Sequence, residues 1–121
     1  MNRIIHFNIH ADDPGRAVKF YGTVFGWKAE KWNGVEYWLV TTGPDDKPGI
    51  NGGIGQRDDP ADHTINFIGV PSVDESIAKV EDAGGKLVAP KMAIPGVGWF
   101  AVCLDTEGNK VGVMEDDPSA K

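Results

Sequence analysis

Apolar and polar residues alternate at the start of the chain, where residues 3–10 read R-I-I-H-F-N-I-H. Successive side chains of a β-strand point to opposite faces, so this pattern predicts a strand with one apolar face of isoleucine and phenylalanine. The opposite face carries His6, Asn8 and His10. Two imidazoles on one face of a strand are candidates either for a metal site or for polar recognition of a ligand.

The apolar spacing changes after this strand to intervals of three and four residues, which predicts an amphipathic helix. Asp13 is placed to cap that helix, Pro14 suits its first position, and Gly26 ends it. Strand-like segments follow at about 27–32, 35–42 and 49–55.

The second half of the chain repeats this order of elements. A strand at about 63–70 precedes the capping box S-x-x-E that starts at Ser72, and Gly84-Gly85 ends the helix. Three further strands are predicted at about 86–92, 98–104 and 109–115. The stretch G-V-E-Y-W-L-V at 34–40 is echoed by G-V-G-W-F-A-V at 96–102, so we interpret the chain as a duplicated βαβββ unit of α+β class, joined by the polar residues 56–62.

Composition narrows the classes of function. The chain has 121 residues and a net charge of −6, and such a surface repels nucleic acid. Its one cysteine, Cys103, lies in an apolar run, which is typical of a buried thiol in a reducing compartment. We find no leader-like segment and no run of about 20 apolar residues, so we expect no membrane association and a cytoplasmic location.

Motifs along the whole chain resemble the vicinal oxygen chelate superfamily, which includes glyoxalase I, extradiol dioxygenases and the bleomycin and fosfomycin resistance proteins. The resemblance rests on the opening H-F-N-I-H-A-D-D-P-G-R-A-V-K-F-Y-G-T-V-F-G-W, on A-G-G-K-L-V-A-P-K, and on the turn D-T-E-G-N before the last strand. It is strongest for the small proteins related to lactoylglutathione lyase. It implies one glyoxalase-like domain over 1–121, with tandem βαβββ modules at about 1–57 and 58–121. Each module would form a cupped mixed sheet with a helix packed outside, and the protein would be a homodimer.

The same resemblance implies a divalent metal held by side chains from the first and last strands of each module. His6 occupies the first of these positions, but residues 49–55 offer no imidazole or carboxylate, and the other two positions fall on Ile65 and Gly112. A rearranged set of His6, His63 and Glu115 would need His63 displaced and Glu115 turned to the other face of its strand. We therefore expect no catalytic metal and no other cofactor.

Loss of the metal ligands would leave a partly apolar cavity suited to a small organic molecule. His6 is the one catalytic candidate, and the pocket candidates are Asn8, His10, Tyr37, Trp38, Gly52, Gly53, His63, Ile65, Trp99, Phe100 and Gly112. Adjacent strand residues face opposite ways, so one member of each aromatic pair, Tyr37–Trp38 and Trp99–Phe100, would face the pocket. The sequence leaves open which member does so.

Three functions remain open on these grounds. The protein binds a small molecule without a metal, or it is a metal-dependent lyase or dioxygenase that uses His6 with rearranged or intersubunit ligands, or it sequesters a drug. Whether it is an enzyme, and on which substrate, is not settled by the sequence.

Overall fold

The structure is a computed structural model that describes residues 2–32 and 35–121. Gly34, which opens the repeated stretch at 34–40, lies outside the described residues. The chain divides into two compact units. The first unit is His6–Ile65, and the second is Asn66–Lys121 together with the N-terminal segment through Ile5.

The first unit is a four-stranded mixed sheet with one helix. Its elements are β1 (Arg3–Ala11, from His6 onwards), α1 (Pro14–Phe25), β2 (Lys28–Lys31), β3 (Tyr37–Thr41) and β4 (Gly52–Gln56). The strand order is β2-β3-β4-β1, in which β1 and β4 are parallel and the other pairs antiparallel. Asn8 of β1 therefore lies opposite Gly53 of β4.

The second unit repeats this arrangement. Its elements are β5 (Ile65–Gly69, from Asn66 onwards), α2 (Val73–Asp82), β6 (Lys86–Ile94), β7 (Gly98–Leu104) and β8 (Lys110–Asp116). The order is β5-β8-β7-β6, with β5 and β8 parallel. The predicted α+β fold of two βαβββ modules is confirmed.

Helix α1 begins and ends at the predicted residues. Asp13 is extended, and its Oδ1 accepts a hydrogen bond from the Arg16 amide at 3.1 Å. Pro14 takes the first helical position, where its missing N–H leaves no bond unmade. Gly26 ends the helix with φ of 74°, in the left-handed region that glycine adopts without strain.

Aromatic side chains fix α1 against the sheet. Tyr21 stacks on Trp27 with ring centroids 4.9 Å apart, and Trp27 lies 5.7 Å from Phe7 of β1. The Phe7 face of the sheet is therefore the one that α1 covers. We call the opposite face of this sheet, which carries His6 and Asn8, the helix-free face.

Helix α2 is capped from two directions. Ser72 Oγ accepts from the Glu75 amide at 3.1 Å, as the capping box predicts. The Val73 amide donates to Oε1 of Glu115, which lies on β8, at 2.9 Å. Beneath the helix, the core of this unit is formed by Val70, Val73, Ala101 and Val113, with Ile68, Ile77 and Trp99 packed against them.

Of the helices in the described part of the chain, none combines the length and apolar character that crossing a membrane requires.

Candidate functional site

Three half-buried polar side chains meet on the helix-free face of the first unit. Tyr37 Oη donates a hydrogen bond to Asn8 Oδ1 at 2.6 Å. His6 Nε2 lies 3.0 Å from the same oxygen and 3.1 Å from Tyr37 Oη. We call these three residues the His6–Asn8–Tyr37 cluster. Strands β1 and β3 lie on either side of β4, so the side chains of the cluster meet across the glycines of β4.

Glycine at position 53 makes the cluster sterically feasible. A Cβ atom at Gly53 would lie 1.9 Å from Tyr37 Oη, well inside van der Waals contact. The phenol therefore occupies the space that a side chain of β4 would otherwise take. Gly52 points the other way, where a Cβ would meet the Phe7 ring at 2.6 Å. The two adjacent glycines thus admit aromatic rings of the chain itself on both faces of the strand.

Burial keeps the cluster uncharged near neutral pH. Desolvation lowers the pKa of His6 below its usual value, against an opposing contribution from its hydrogen bond to Asn8. Desolvation also raises the pKa of Tyr37 to about 12. The imidazole is therefore neutral at pH 7, and its Nε2 lies within hydrogen-bond distance of both Asn8 Oδ1 and Tyr37 Oη.

Each aromatic pair is divided between the two faces of its sheet. Tyr37 lies on the helix-free face, whereas Trp38 lies opposite the fully buried Ile54, on the face that α1 covers. In the second unit, Trp99 packs against the core under α2, and its Nε1 donates to Asp117 Oδ2 at 2.9 Å. Phe100 points away from that core.

In the second unit, aromatic rings of the chain itself occupy the space beside the pocket candidates Phe100 and Gly112. Phe100 contacts Phe67 edge to face, with centroids 6.3 Å apart. A Cβ at Gly112 would lie 2.1 Å from the Phe67 ring, so that ring occupies the space above the glycine. Ile65, in the first unit, is buried.

His10 and His63 belong to a different part of the first unit. The His10 Nδ1–H donates to the backbone oxygen of His63 at 2.6 Å. Both residues line a cleft of about 640 Å³ between the end of β1, the start of α1 and the segment 57–64. We call this the α1 cleft. Its arginines, Arg16 and Arg57, were not among the candidates from the sequence, because only the path of segment 57–64 brings Arg57 beside β1.

In the rearranged set of metal ligands, the side chains of His6 and Glu115 make other contacts. His6 Nε2 faces Asn8 and Tyr37, and the Glu115 carboxylate caps α2 on the helix-covered face of its sheet. Within residues 2–32 and 35–121, no three His, Cys, Asp or Glu side chains are grouped so that they could hold a metal ion.

One protein-family model matches the N-terminal part of the chain. Residues 3–43 match the model described as bleomycin resistance protein-like N-terminal, about a third of the chain. No curated protein matches the sequence.

Solved structures share the fold over nearly the whole chain at low sequence identity. A variant of methylmalonyl-CoA epimerase from Streptomyces coelicolor, in complex with 2-nitronate-propionyl-CoA, is 16% identical with a TM-score of 0.66, over 100% of this chain and 99% of the other. Methylmalonyl-CoA epimerase from Mycobacterium tuberculosis is 16% identical with a TM-score of 0.62, over 95% and 88%. A protein described as NAD-dependent benzaldehyde dehydrogenase from Legionella pneumophila is 14% identical with a TM-score of 0.66, over 93% and 98%.

These comparisons show that the chain shares the fold that the resemblance implied. The N-terminal match adds similarity to the bleomycin resistance branch for the segment that holds β1, α1, β2 and β3.

Proposed function

We propose that this protein binds a small, uncharged organic molecule at the His6–Asn8–Tyr37 cluster, without a catalytic metal ion. The observation that supports this most directly is that His6 Nε2 lies 3.0 Å from Asn8 Oδ1 and 3.1 Å from Tyr37 Oη. A metal ion bound at Nε2 would have to displace both of these contacts.

The chemistry of the cluster suits a neutral ligand with a carbonyl or hydroxyl oxygen. Asn8 Oδ1 is occupied by Tyr37 and His6, while its amide NH₂ makes no hydrogen bond with any residue that the structure describes. That NH₂ is the donor offered to a ligand. Because the imidazole and the phenol are both uncharged at neutral pH, the cluster offers no formal charge to attract an ion.

Ligand binding by variants of the cluster tests this proposal. A fragment set of neutral ketones, amides and alcohols is titrated by ligand-observed NMR against the wild-type protein, Asn8→Leu and Gly53→Ala. We expect both variants to lose binding, since one removes the donor and the other displaces Tyr37. Thr41→Val, an exposed change on the same strand as Tyr37, is the control and should bind as the wild type does. Equal binding by Asn8→Leu would overturn the proposal.

Metal dependence is tested separately. We expect elemental analysis to find less than one metal ion per chain, and EDTA to change neither the melting temperature nor ligand affinity. A tightly held stoichiometric ion would support the lyase or dioxygenase alternative. Turnover of hemithioacetals or catechols with Ni²⁺, Zn²⁺, Mn²⁺ or Fe²⁺ would then identify the reaction.

Drug sequestration is a second candidate, favoured by the match of residues 3–43 to the bleomycin resistance protein-like model. A sequestered drug leaves the protein chemically unchanged. Mass spectrometry of bleomycin after incubation with the protein distinguishes this from catalysis, and protection of DNA from the drug would support it.

We also propose that the protein forms a homodimer, in keeping with the exposure of Val24 and Phe25 on α1, which are 54% and 61% exposed. Light scattering coupled to size-exclusion chromatography tests this, and a mass of about 13 kDa would contradict it.

A further inference from the structure

The α1 cleft combines an apolar wall with the guanidinium of Arg16. Its wall is formed by residues of β1 and α1, namely Ile9, Ala17, Phe20 and Tyr21. Phe20 is 56% exposed, and its ring meets Tyr21 edge to face at 5.1 Å. Tyr21 is in turn held by its stack on Trp27, so Tyr21 is the supported part of this aromatic wall.

The two arginines of the cleft have different environments. Arg57 is already committed, because its Nη2 donates to the His10 backbone oxygen at 2.9 Å and its Nη1 lies 3.6 Å from Asp12 Oδ2. The guanidinium of Arg16 forms no ion pair or hydrogen bond with any residue in the described part of the chain. Only its backbone amide is used, by the Asp13 cap. Arg16 is thus the cation available to a ligand.

The acidic residues of the cleft set the charge that a ligand can carry. Asp12 and Asp13 both line it, and each is only partly compensated, by Arg57 and by the start of α1 respectively. A dianion would meet stronger repulsion from these carboxylates than a monoanion would. The volume of about 640 Å³ lies in the range of pockets for small organic ligands.

We propose that the α1 cleft is a second binding site, independent of the His6–Asn8–Tyr37 cluster, for an organic monoanion with an aromatic body. The carboxylate of such a ligand pairs with the Arg16 guanidinium, which can form two parallel hydrogen bonds to it. The aromatic body lies against Phe20 and Tyr21.

The probe is 1-naphthoate, titrated by heteronuclear NMR with 1-naphthamide as the uncharged analogue. We expect naphthoate to shift the amide signals of α1 and of segment 57–64, and naphthamide to bind at least about tenfold more weakly. Arg16→Gln should weaken naphthoate by a similar factor. Lys19→Gln removes an equal charge from an exposed residue of α1 that does not line the cleft, and it should weaken naphthoate much less than Arg16→Gln does, since only Arg16 is placed to pair directly with the carboxylate.

Several outcomes would overturn the proposal. One is an equal loss of naphthoate affinity in Arg16→Gln and Lys19→Gln. Others are naphthamide binding as tightly as naphthoate, and 1-naphthyl phosphate binding more tightly than naphthoate. The last is an absence of shifts in the α1 amide signals at millimolar naphthoate. Phe20→Ala, an exposed change that should fold normally, tests the aromatic contact and should also weaken naphthoate. Asn8→Leu should leave naphthoate binding unchanged, so this site and the cluster can fail separately.

Discussion

The side chain of Tyr37 joins strands β3 and β1 of the first unit. Its hydroxyl donates to Asn8 at 2.6 Å and lies 3.1 Å from His6 Nε2, in a half-buried position. Removing one partner of a partly buried hydrogen bond leaves the other without its bond, and this costs more than the net value of the bond itself.

We predict that Tyr37→Phe lowers the free energy of unfolding by about 1–2 kcal/mol in urea titrations. Tyr21→Phe is the matched control, because the Tyr21 hydroxyl makes no hydrogen bond with the described residues, and it should cost much less. A spectroscopic check is available in the same variants. In the wild type, the absorbance of tyrosinate should rise in a step at about pH 12. That step should be missing in Tyr37→Phe.

His6 makes the free energy of unfolding depend on pH, and the direction follows from its lowered pKa. Burial lowers its pKa in the folded state, so below the ordinary histidine pKa of 6.5 the unfolded chain binds a proton that the folded chain does not. Stability from this group is therefore present above pH 6.5 and is lost as the pH falls through the folded-state pKa.

We predict that the wild type loses stability between pH 7.5 and pH 5.5, and that His6→Gln removes a clear part of that loss. Chemical denaturation at the two pH values measures it. An identical pH dependence in the variant would show that the imidazole is not held in its neutral form.

Capping residues set where the two helices α1 and α2 begin. The sequence predicted Asp13 and Ser72 as caps, because short oxygen-bearing side chains before an amphipathic run satisfy the first free amides. The Glu115 cap on Val73 was not predictable in the same way, since the two residues are 42 positions apart. Only strand parity indicated that Glu115 would face away from Gly112.

We predict that Glu115→Ala lowers the free energy of unfolding by about 1–2 kcal/mol, while Glu115→Gln, which keeps an acceptor oxygen, costs less. Asp116→Ala, at the exposed neighbouring position, controls for the loss of a negative charge. If Glu115→Ala instead released a bound metal ion without loss of stability, the capping role would be contradicted.

At the scale of the whole molecule, the order of elements was predictable and the partition into units was not. Alternation and spacing depend on local contacts, and the predicted strands therefore coincide with β1 to β8 to within a few residues. Which face each aromatic pair presents, and the α1 cleft, depend on how distant segments meet. The N-terminal segment is the clearest case, since nothing local indicates that Arg3 and Ile5 pack with Gly69.

We predict that deleting residues 2–5 weakens the second unit selectively. The Asn2 amide donates to the Gly69 oxygen at 2.8 Å, and Arg3 and Ile5 enclose a cavity of about 180 Å³ with Gly69, Val70 and Met114. Hydrogen exchange should show faster opening of the amides of β5 and β8 than of those of β3 and β4. Equal loss of protection in both units would contradict this.

The discontinuity of the second unit also orders events during synthesis. The first unit is a single uninterrupted segment, so all of it is present once Ile65 has left the ribosome. The second unit must wait for its final strand, β8, because the segment through Ile5 packs with residues 66–121. The segment through Ile5 therefore stays without its native neighbours while residues 6–65 are already complete, and during that interval the nascent chain exposes the apolar residues Ile4 and Ile5.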